Sequence, residues 1–337
     1  MPAAVAETPP RDAWPARATA ARRQELAFGP GSADIRADEL RDQSHGAVFM
    51  QWWEAIILGL VEGLTEYLPV SSTGHLLIAQ ALLGIGTQDE AAKQAANAYA
   101  ICIQAGAILA VLGLYWKRVR QAFVGWGGKI GIGPGDVDGF RMGVNLVVAF
   151  MPAAVIGLLL DDLIEAKLFA PWPVVAALFV GGVAILAVSW WKKKRGEDTE
   201  GSALEAMTWK MALAIGFIQC VAMWPGTSRS LVTIVGGVLV GLSLAAAVEF
   251  SFLLGVITLC AATVYKAKDA GPVMLETYGW MPMLIGSAAA FVSAWFAVKW
   301  MVAYLKRHGM EIFGYYRVII AAVVAALILG GMMDGAF

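Results

Sequence analysis

Long apolar segments dominate the sequence from residue 50 onward, and they restrict the fold more than any other feature. They cover residues 98–116, 142–160, 172–191, 247–265, 280–304 and 315–333. A helix needs about 20 apolar residues to cross a bilayer, and these segments lack the alternation of apolar and polar positions that barrel strands show. Since only helices and closed barrels satisfy the backbone in lipid, the sequence predicts an all-α polytopic membrane protein with about six transmembrane helices.

The composition agrees with this prediction. Hydrophobic residues make up 59% of the 337 residues and charged residues 15%, and the mean hydropathy is +0.66. A soluble domain is nearer half apolar and a quarter charged. The net charge of −1 gives no indication of nucleic acid as a partner, and none is expected.

Residues 1–49 differ in character from the rest of the chain. They are rich in Ala, Arg, Pro and Asp, and they contain no apolar stretch long enough for a signal-peptide core. We interpret them as a disordered soluble extension. Met50 directly precedes an apolar segment, which makes it an alternative start, so the predicted membrane domain covers residues 50–337.

Two further apolar regions are interrupted by proline and polar residues. The stretch EGLTEYLPVSSTGHLL joins segments 52–68 and 72–84, and WPGTSRSLVT joins segments 207–224 and 228–243. Each of these four segments is too short to cross comfortably. Each pair is therefore predicted to form a re-entrant helical hairpin.

The charges of the loops support the re-entrant interpretation. Loops after residues 116, 191 and 304 are basic, the third by virtue of Lys306, Arg307 and the nearby Arg317, whereas the loop near residue 161 is acidic. Basic loops face the cytoplasm. All three basic loops lie on that side only if the pair 207–243 enters and leaves on one face.

The two hairpins resemble each other, which predicts an internal repeat. Allowing one residue of slippage, the paired positions are Gly59 with Gly216, Glu62 with Gln219, Pro69 with Pro225 and Ser72 with Ser228. Three crossings separate the hairpins, and an odd number inverts the second copy. The pattern is typical of inverted-topology repeats whose broken helices meet near the midplane, here at about 50–191 and about 205–335.

Glu62 and Glu66 lie one helical turn apart on the same face. Two carboxylates so placed repel each other unless a positive group lies between them, and hard oxygen ligands suit Mg²⁺ or Ca²⁺. The pair is therefore predicted to bind a divalent cation. The alternative is a pair of glutamates at a helix interface, but ionisable groups inside a membrane usually mark function.

Pro69 ends the first half-helix, so Ser71 and Ser72 are natural N-caps for the next one. His75 follows Ser72 by three residues, which allows both side chains to share one face. A serine beside a histidine indicates an activated nucleophile or an acid–base pair. Taken alone the spacing is a weak signal that favours a capping serine with a hydrogen-bonded histidine, and serine and histidine remain alternative nucleophiles.

The second break supplies groups that suit an anion. Gly226 permits a tight turn, and Thr227 or Ser228 can cap the next helix, whose first N–H groups favour phosphate. Arg229 adds a planar fork that matches phosphate oxygens, and Thr233 lies one turn further along. The alternative for the arginine is snorkelling to the interface.

Taken together, the two breaks predict a phosphate pocket with a metal ion, provided that the repeat brings them face to face. The predicted catalytic residues are Glu62, Glu66, Ser72, His75 and Arg229; Ser228, Arg229 and Thr233 are predicted to bind phosphate, and Glu62 and Glu66 the metal. The acid pair alone would also fit a cation pathway, and inverted repeats are a transporter design, so a transporter of a phosphate-bearing ligand is the alternative function.

The motifs resemble those of a known family. EGLTEYLPVSSTGHLLIA and PGTSRSLVT are similar to the two signatures of the undecaprenyl-diphosphate phosphatases of the BacA/UppP type, and IQAGAILAVL and EFSFLL resemble further family segments. The resemblance covers roughly Met50 to the C-terminus. It implies two re-entrant hairpins and interlocked inverted repeats, and it places the family's functional residues on Glu62, Glu66, Ser72, His75, Ser228, Arg229 and Thr233.

The resemblance also implies an activity. Family members remove one phosphate from undecaprenyl diphosphate, which yields the carrier lipid for peptidoglycan synthesis, and they are linked to bacitracin resistance. The implied partners are a polyprenyl diphosphate, a divalent cation and a second copy of the chain in a homodimer. For the alternative transporter function, the resemblance implies a polyprenyl phosphate as the ligand. The implied location is the bacterial cytoplasmic (inner) membrane.

Overall fold

The computed structural model describes residues 50–133, 135–195 and 201–331, and the predicted disordered extension at 1–49 lies outside these ranges. Within them the chain forms eleven α-helices and no β-strand. Six of the helices are long and apolar enough to cross a membrane: α3 (Glu90–Leu114), α5 (Val137–Leu168), α6 (Pro171–Arg195), α9 (Leu244–Tyr278), α10 (Trp280–Leu305) and α11 (Glu311–Leu329). Each contains most of one predicted apolar segment, so the predicted polytopic all-α fold is confirmed.

Four shorter helices form two pairs at the predicted breaks. The first pair is α1 (Trp52–Thr65) with α2 (Ser72–Leu83), and the second is α7 (Trp209–Gln219) with α8 (Arg229–Leu239). The longest has 14 residues, about 21 Å at 1.5 Å per residue, which is less than the hydrocarbon thickness of about 30 Å. The members of each pair pack on each other, as the helices of a hairpin do.

The remaining helix, α4 (Trp116–Lys129), follows the first span and is tied to the start of α9 by charge. Arg118 Nε donates to Glu249 Oε1 at 2.6 Å, and Arg118 Nη2 lies 2.9 Å from Glu205 Oε1. A backbone hydrogen bond at Glu205 and the Arg118 guanidinium hold the pKa of the Glu205 carboxyl below its ordinary value. This ion-pair network lies outside the spans, apart from the start of α9.

The helices pack in a pattern that relates the two halves of the chain. Three spans, α3, α5 and α6, separate the two hairpins, as the odd-number argument requires. Hairpin helix α1 packs on α10, the second span of the other half, and α7 packs on α5 in the same way. The first spans α3 and α9 pair with each other, and so do the third spans α6 and α11. Such reciprocal contacts are those of interlocked inverted repeats; the exact repeat boundaries stay a prediction.

The contact between α1 and α10 is close because both helices present small residues. A Cβ atom added at Gly59 would overlap the Gly286 carbonyl oxygen, and one at Gly63 would overlap the Ala290 carbonyl oxygen and the Ser293 hydroxyl. Small residues spaced by four allow backbones to approach closely in membranes, where packing drives helix association. The first hairpin is therefore fixed against the second half of the chain by backbone contact.

We expect Gly63→Ala to destabilise the protein by about 1–3 kcal/mol, the usual cost of overpacking, because the new methyl group meets backbone atoms of α10. The midpoint of thermal unfolding in detergent measures the effect. Gly271→Ala is the matched control, since an added Cβ there meets only Ala267 Cβ, at 3.9 Å. An unchanged midpoint for Gly63→Ala would contradict the close α1–α10 contact.

Candidate active site

The backbone at the two breaks adopts the same unusual conformation. Ser71 has φ 78° and Ser228 has φ 77°, and these are the only non-glycine residues with positive φ in the described ranges. Each serine caps the helix that follows: Ser71 Oγ accepts from Gly74 N at 3.4 Å, and Ser228 Oγ accepts from Leu231 N at 3.3 Å. A non-glycine residue in this conformation costs about 1–3 kcal/mol of conformational free energy, and such residues are concentrated at functional sites.

The shared conformation corrects the alignment of the repeats. Ser71 is the structural equivalent of Ser228, so Ser72 corresponds to Arg229 and not to Ser228. Pro69 likewise corresponds to Gly226 and not to Pro225, because each lies two positions before its capping serine. The slippage allowed in the sequence comparison is therefore unnecessary, since one register aligns the helices and the breaks.

A cavity of about 510 Å³ lies beside the two breaks. Its polar wall includes Glu66, Ser71, Ser72, Thr73, Gln219, Ser228, Arg229 and Thr258. Its apolar wall includes Phe150, Ala153, Leu158, Met223, Leu259 and Ala262, from the spans and the second hairpin. The volume is within the range of sites that bind small ligands. Both α2 and α8 begin at this wall, so the positive ends of two helices face it.

One carboxylate joins the two hairpins. Glu66 Oε1 lies 3.0 Å from Arg229 Nη2, and Glu66 Oε2 accepts a short hydrogen bond from Ser72 Oγ. Both side chains of the ion pair are largely buried. The structure therefore brings Glu66, Ser72 and Arg229 together at the cavity. A hydroxyl that donates to a carboxylate is the arrangement of a nucleophile with its general base.

Arg229 is held from several directions. Its Nη1 donates to the Ser251 carbonyl oxygen at 3.0 Å, and its guanidinium carbon lies 5.2 Å from the centre of the Tyr67 ring. A Cβ at Gly255 would overlap the guanidinium, so glycine is required for this approach. Arg229 Nε is buried and has no hydrogen-bond partner among the described residues. The side chain does not snorkel to an interface. It is fixed at the cavity, and its Nε–H is a donor without a partner among the described residues.

His75 lies apart from this cluster. Its Nδ1 is 2.7 Å from the Ser71 carbonyl oxygen, its Nε2 is 2.7 Å from the Tyr316 hydroxyl, and its ring stacks on that of Tyr316. Because a carbonyl only accepts, Nδ1 carries the proton and Nε2 accepts from the tyrosine. The described lining of the cavity does not include His75. Its catalytic role stays a prediction, and its geometry is that of a hydrogen-bonded histidine that supports the break.

Glu62 is fully buried one turn from Glu66, and neither of its carboxylate oxygens has a hydrogen-bond partner among the described residues. Buried polar atoms normally have partners, so two free oxygens beside a second carboxylate fit a hard cation. The fit rests on Glu62, because Arg229 and Ser72 already occupy both oxygens of Glu66. Among the described residues no group of three or more His, Cys, Asp or Glu forms a larger ligand set.

The other predicted phosphate ligands differ in position. Ser228 lines the cavity, and its Oγ lies 3.0 Å from Ser230 Oγ, which donates to the Leu68 carbonyl oxygen of the first break at 2.8 Å. Thr233 is fully buried, with its hydroxyl bonded to the Arg229 carbonyl oxygen and to Ser251 Oγ at 2.8 and 2.6 Å. It is not among the described residues that line the cavity, so Thr233 holds the backbone of Arg229.

Several residues of the site are not evident from the sequence. They are Tyr67, Ser251 and Gly255 around the Arg229 guanidinium, Tyr316 beside His75, and the polar lining residues Gln219 and Thr258. Two weak signals existed: Gln219 is the repeat equivalent of Glu62, and Ser251 lies in the segment EFSFLL. No sequence pattern indicated Tyr316, because it meets His75 through the packing of segments that are distant in the chain.

Comparison with known proteins gives consistent matches. The family profile described as "Bacitracin resistance protein BacA" matches residues 55–323. An undecaprenyl-diphosphatase of Sorangium cellulosum is 45% identical over 276 residues, which is 82% of this chain and 86% of that protein. An undecaprenyl-diphosphatase of a Polaromonas species and undecaprenyl-diphosphatase 2 of Rhodospirillum rubrum are each 41% identical, and both alignments cover 83% of this chain and 96% of the relative.

Thiol labelling tests the described cavity. In a background where Cys102, Cys220 and Cys260 are serine, we expect Thr73→Cys to react readily with a small water-soluble thiol reagent, because Thr73 is half-buried and lines the cavity. Thr233→Cys is the control and reacts far more slowly, because its side chain is fully buried against Ser251. Rates followed by mass spectrometry measure this; equal rates at the two positions would contradict the described cavity.

Proposed function

The chain belongs to the bacitracin resistance protein BacA family, and from this premise we propose that it is a membrane phosphatase that hydrolyses undecaprenyl diphosphate to undecaprenyl phosphate and inorganic phosphate. The reaction recycles the lipid carrier of peptidoglycan synthesis and so supports cell-wall biogenesis, cell shape and bacitracin resistance. One observation carries the assignment to this cavity: Glu66 joins Ser72 to Arg229 across the two breaks.

The cavity suits a diphosphate with an apolar tail. Its apolar wall is formed by side chains of α5, α9 and the second hairpin, and these are surfaces along which an isoprenoid chain can lie. Its polar wall carries Arg229 and the beginnings of two helices, which together attract phosphate oxygens. The lipid would thus extend along the spans while its head group reaches the breaks.

In the proposed mechanism Ser72 Oγ attacks the terminal phosphorus and its proton passes to Glu66. The bond between that phosphorus and the bridging oxygen breaks, and undecaprenyl phosphate leaves with the bridging oxygen and takes up the proton. Water then attacks the phosphoserine and gives a proton to Glu66, which returns it to Ser72 as inorganic phosphate departs. A positioned general base contributes about 10²–10⁴-fold to the rate. His75 is less suited as nucleophile, because both ring nitrogens already have partners.

Arg229 would stabilise the charge that spreads over the phosphoryl oxygens. Its side chain lines the cavity, and the N–H groups at the start of α8 and the Ser228 hydroxyl lie at the same wall. Donors that are already in position need no rearrangement as the transition state forms, which is how electrostatic catalysis lowers a barrier. Thr233 contributes by holding the Arg229 carbonyl.

A divalent cation, Mg²⁺ or Ca²⁺, is proposed as cofactor, with Glu62 and Glu66 as the residues that would hold it. Its support is the pair of unpartnered Glu62 oxygens. When bound, the cation would neutralise negative charge on the diphosphate. We also propose the bacterial inner membrane as location and a homodimer as assembly, both on the basis of family membership. The transporter alternative has no support from the relatives, which are named as diphosphatases.

Phosphate release from undecaprenyl diphosphate by the purified protein in detergent tests the proposed activity. We expect Ser72→Ala to lose about 10³-fold or more, as nucleophile variants do, and Arg229→Lys to lose about 10²–10³-fold, as variants in oxyanion stabilisation do. Ser243→Ala, at the N-cap of α9, is the matched control and keeps its activity. Phosphoserine at Ser72 in quenched reactions would support the mechanism, whereas phosphohistidine at His75 would contradict it.

Thermal unfolding with and without cation tests the cofactor. At a cation concentration about 100-fold above the Kd, binding to the native state stabilises by about 2.7 kcal/mol, so Mg²⁺ or Ca²⁺ should raise the unfolding midpoint and a chelator should lower it. Glu62→Gln should abolish this response. Glu54→Gln is the control, because Glu54 lies in the same helix and its side chain accepts from the Gln51 backbone N–H at the helix start. A full response in Glu62→Gln would exclude Glu62 as ligand.

A further inference from the structure

Arg317 is the largest fully buried side chain in the described residues. In the sequence it lies near the third basic loop and inside the apolar segment 315–333, and in the structure it lies within the spanning helix α11. Among the described residues its guanidinium donates to four backbone carbonyls: Leu178 at 3.3 Å, Ala177 at 3.0 Å, Gly226 at 2.8 Å and Pro69 at 3.4 Å. The described residues give it no carboxylate partner. A guanidinium stays charged in proteins, so a cation buried this way needs a reason.

Two of the four carbonyls are equivalent positions of the inverted repeat. Pro69 precedes the capping Ser71 by two residues, and Gly226 precedes the capping Ser228 by two. A break in a helix leaves carbonyls without their helical donors, and Arg317 supplies donors to one such carbonyl in each break. One side chain therefore connects the backbones of both breaks directly upstream of the residues that form the active site.

The third connection is to span α6, which is shaped to admit the guanidinium. A Cβ at Gly181 would overlap Arg317 Nη2, and one at Gly182 would lie within 3.1 Å of Arg317 Cβ. The neighbouring residue Tyr316 bonds to His75, which in turn bonds to the Ser71 carbonyl. Helix α11 thus contacts the first break at Pro69 directly and at Ser71 through His75.

We propose that Arg317 is a positioning residue of this phosphatase: by bonding to Pro69 and Gly226 at once, it sets the two breaks in the relative position at which Glu66 and Ser72 meet Arg229. The inference rests on the function proposed above. A residue that only stabilised the fold would affect the amount of folded protein. A positioning residue affects the turnover of the folded protein, because misplacing reacting groups by about 1 Å can cost about 10²-fold in rate.

The test compares Arg317→Lys with the wild type and with Arg118→Met. The lysine keeps the charge but replaces a planar fork of five donors with one ammonium that cannot reach both breaks in the same geometry. Arg118→Met removes the ion pairs with Glu249 and Glu205, outside the cavity, and serves as the control for lost stability. For each protein we would measure the unfolding midpoint in detergent, and kcat and KM for phosphate release.

We expect Arg317→Lys to lower kcat by about 10²-fold with KM changed by less than about threefold, since transition-state interactions act on kcat. Arg118→Met removes partly exposed ion pairs, so it should lower the unfolding midpoint modestly and retain kcat. A wild-type kcat in Arg317→Lys would overturn the proposal. The proposal would also be overturned if, in both variants, kcat fell in proportion to the decrease in the unfolding midpoint. Arg317→Met removes the charge as well and is a more severe second variant. If it does not fold, the kcat of Arg317→Lys alone tests the proposal.

A readout without substrate separates this inference from the proposed activity. In the cysteine-substituted background, we expect Arg317→Lys to change the thiol-labelling rate of Thr73→Cys several-fold, because the first break loses the donor that it shares with the second at Pro69 and Gly226. Arg118→Met should leave that rate unchanged. If the wild type released no phosphate but the labelling rate responded in this way, the activity would be wrong while Arg317 would still fix the break. An unresponsive labelling rate would overturn the role of Arg317.

Discussion

The structure depends on the ion pair between Glu66 and Arg229, which joins the breaks of the two hairpins inside the membrane domain. Irregular backbone at this depth is tolerated only where protein covers it or where it lines a cavity, and an unpaired charge there is costly. Each hairpin alone would incur both costs. When they meet, the carboxylate and the guanidinium neutralise each other and each break covers the other. Each hairpin therefore depends on the other for its stability in the membrane.

The same backbone geometry then yields two different chemical groups. Ser71 and Ser228 share a positive φ and cap the following helix with the same hydrogen bond, so the next residue in each break points to the common cavity. In the first break that residue is Ser72, and in the second it is Arg229. An inverted repeat thus places a hydroxyl and a guanidinium on the two oxygens of one carboxylate, which is the arrangement that the proposed mechanism uses.

Much of the site was predictable, since it consists of polar residues in apolar surroundings. Glu66, Ser72, Ser228 and Arg229 stand out in sequence because their burial would be costly without a purpose, and the caps follow from Pro69 and Gly226 beside serines. The partner of Ser72 was not predictable in this way. Spacing favoured His75, three residues away, whereas the fold bonds Ser72 to Glu66 and directs His75 to Tyr316. Three-residue spacing allows two side chains to meet but does not make them do so.

The sequence by itself determined the six spans, the two broken hairpins and their inverted relation, and it limited the caps to Ser71 or Ser72 and to Thr227 or Ser228, because apolar length, proline, serine and loop charge act locally along the chain. Only the tertiary structure decided which groups meet: that α1 packs on α10, that Glu66 reaches Arg229, and that Arg317 lies between Pro69 and Gly226. The reason is physical. A buried charge takes its position from donors and acceptors that distant segments bring to it, and no local pattern records where those segments pack.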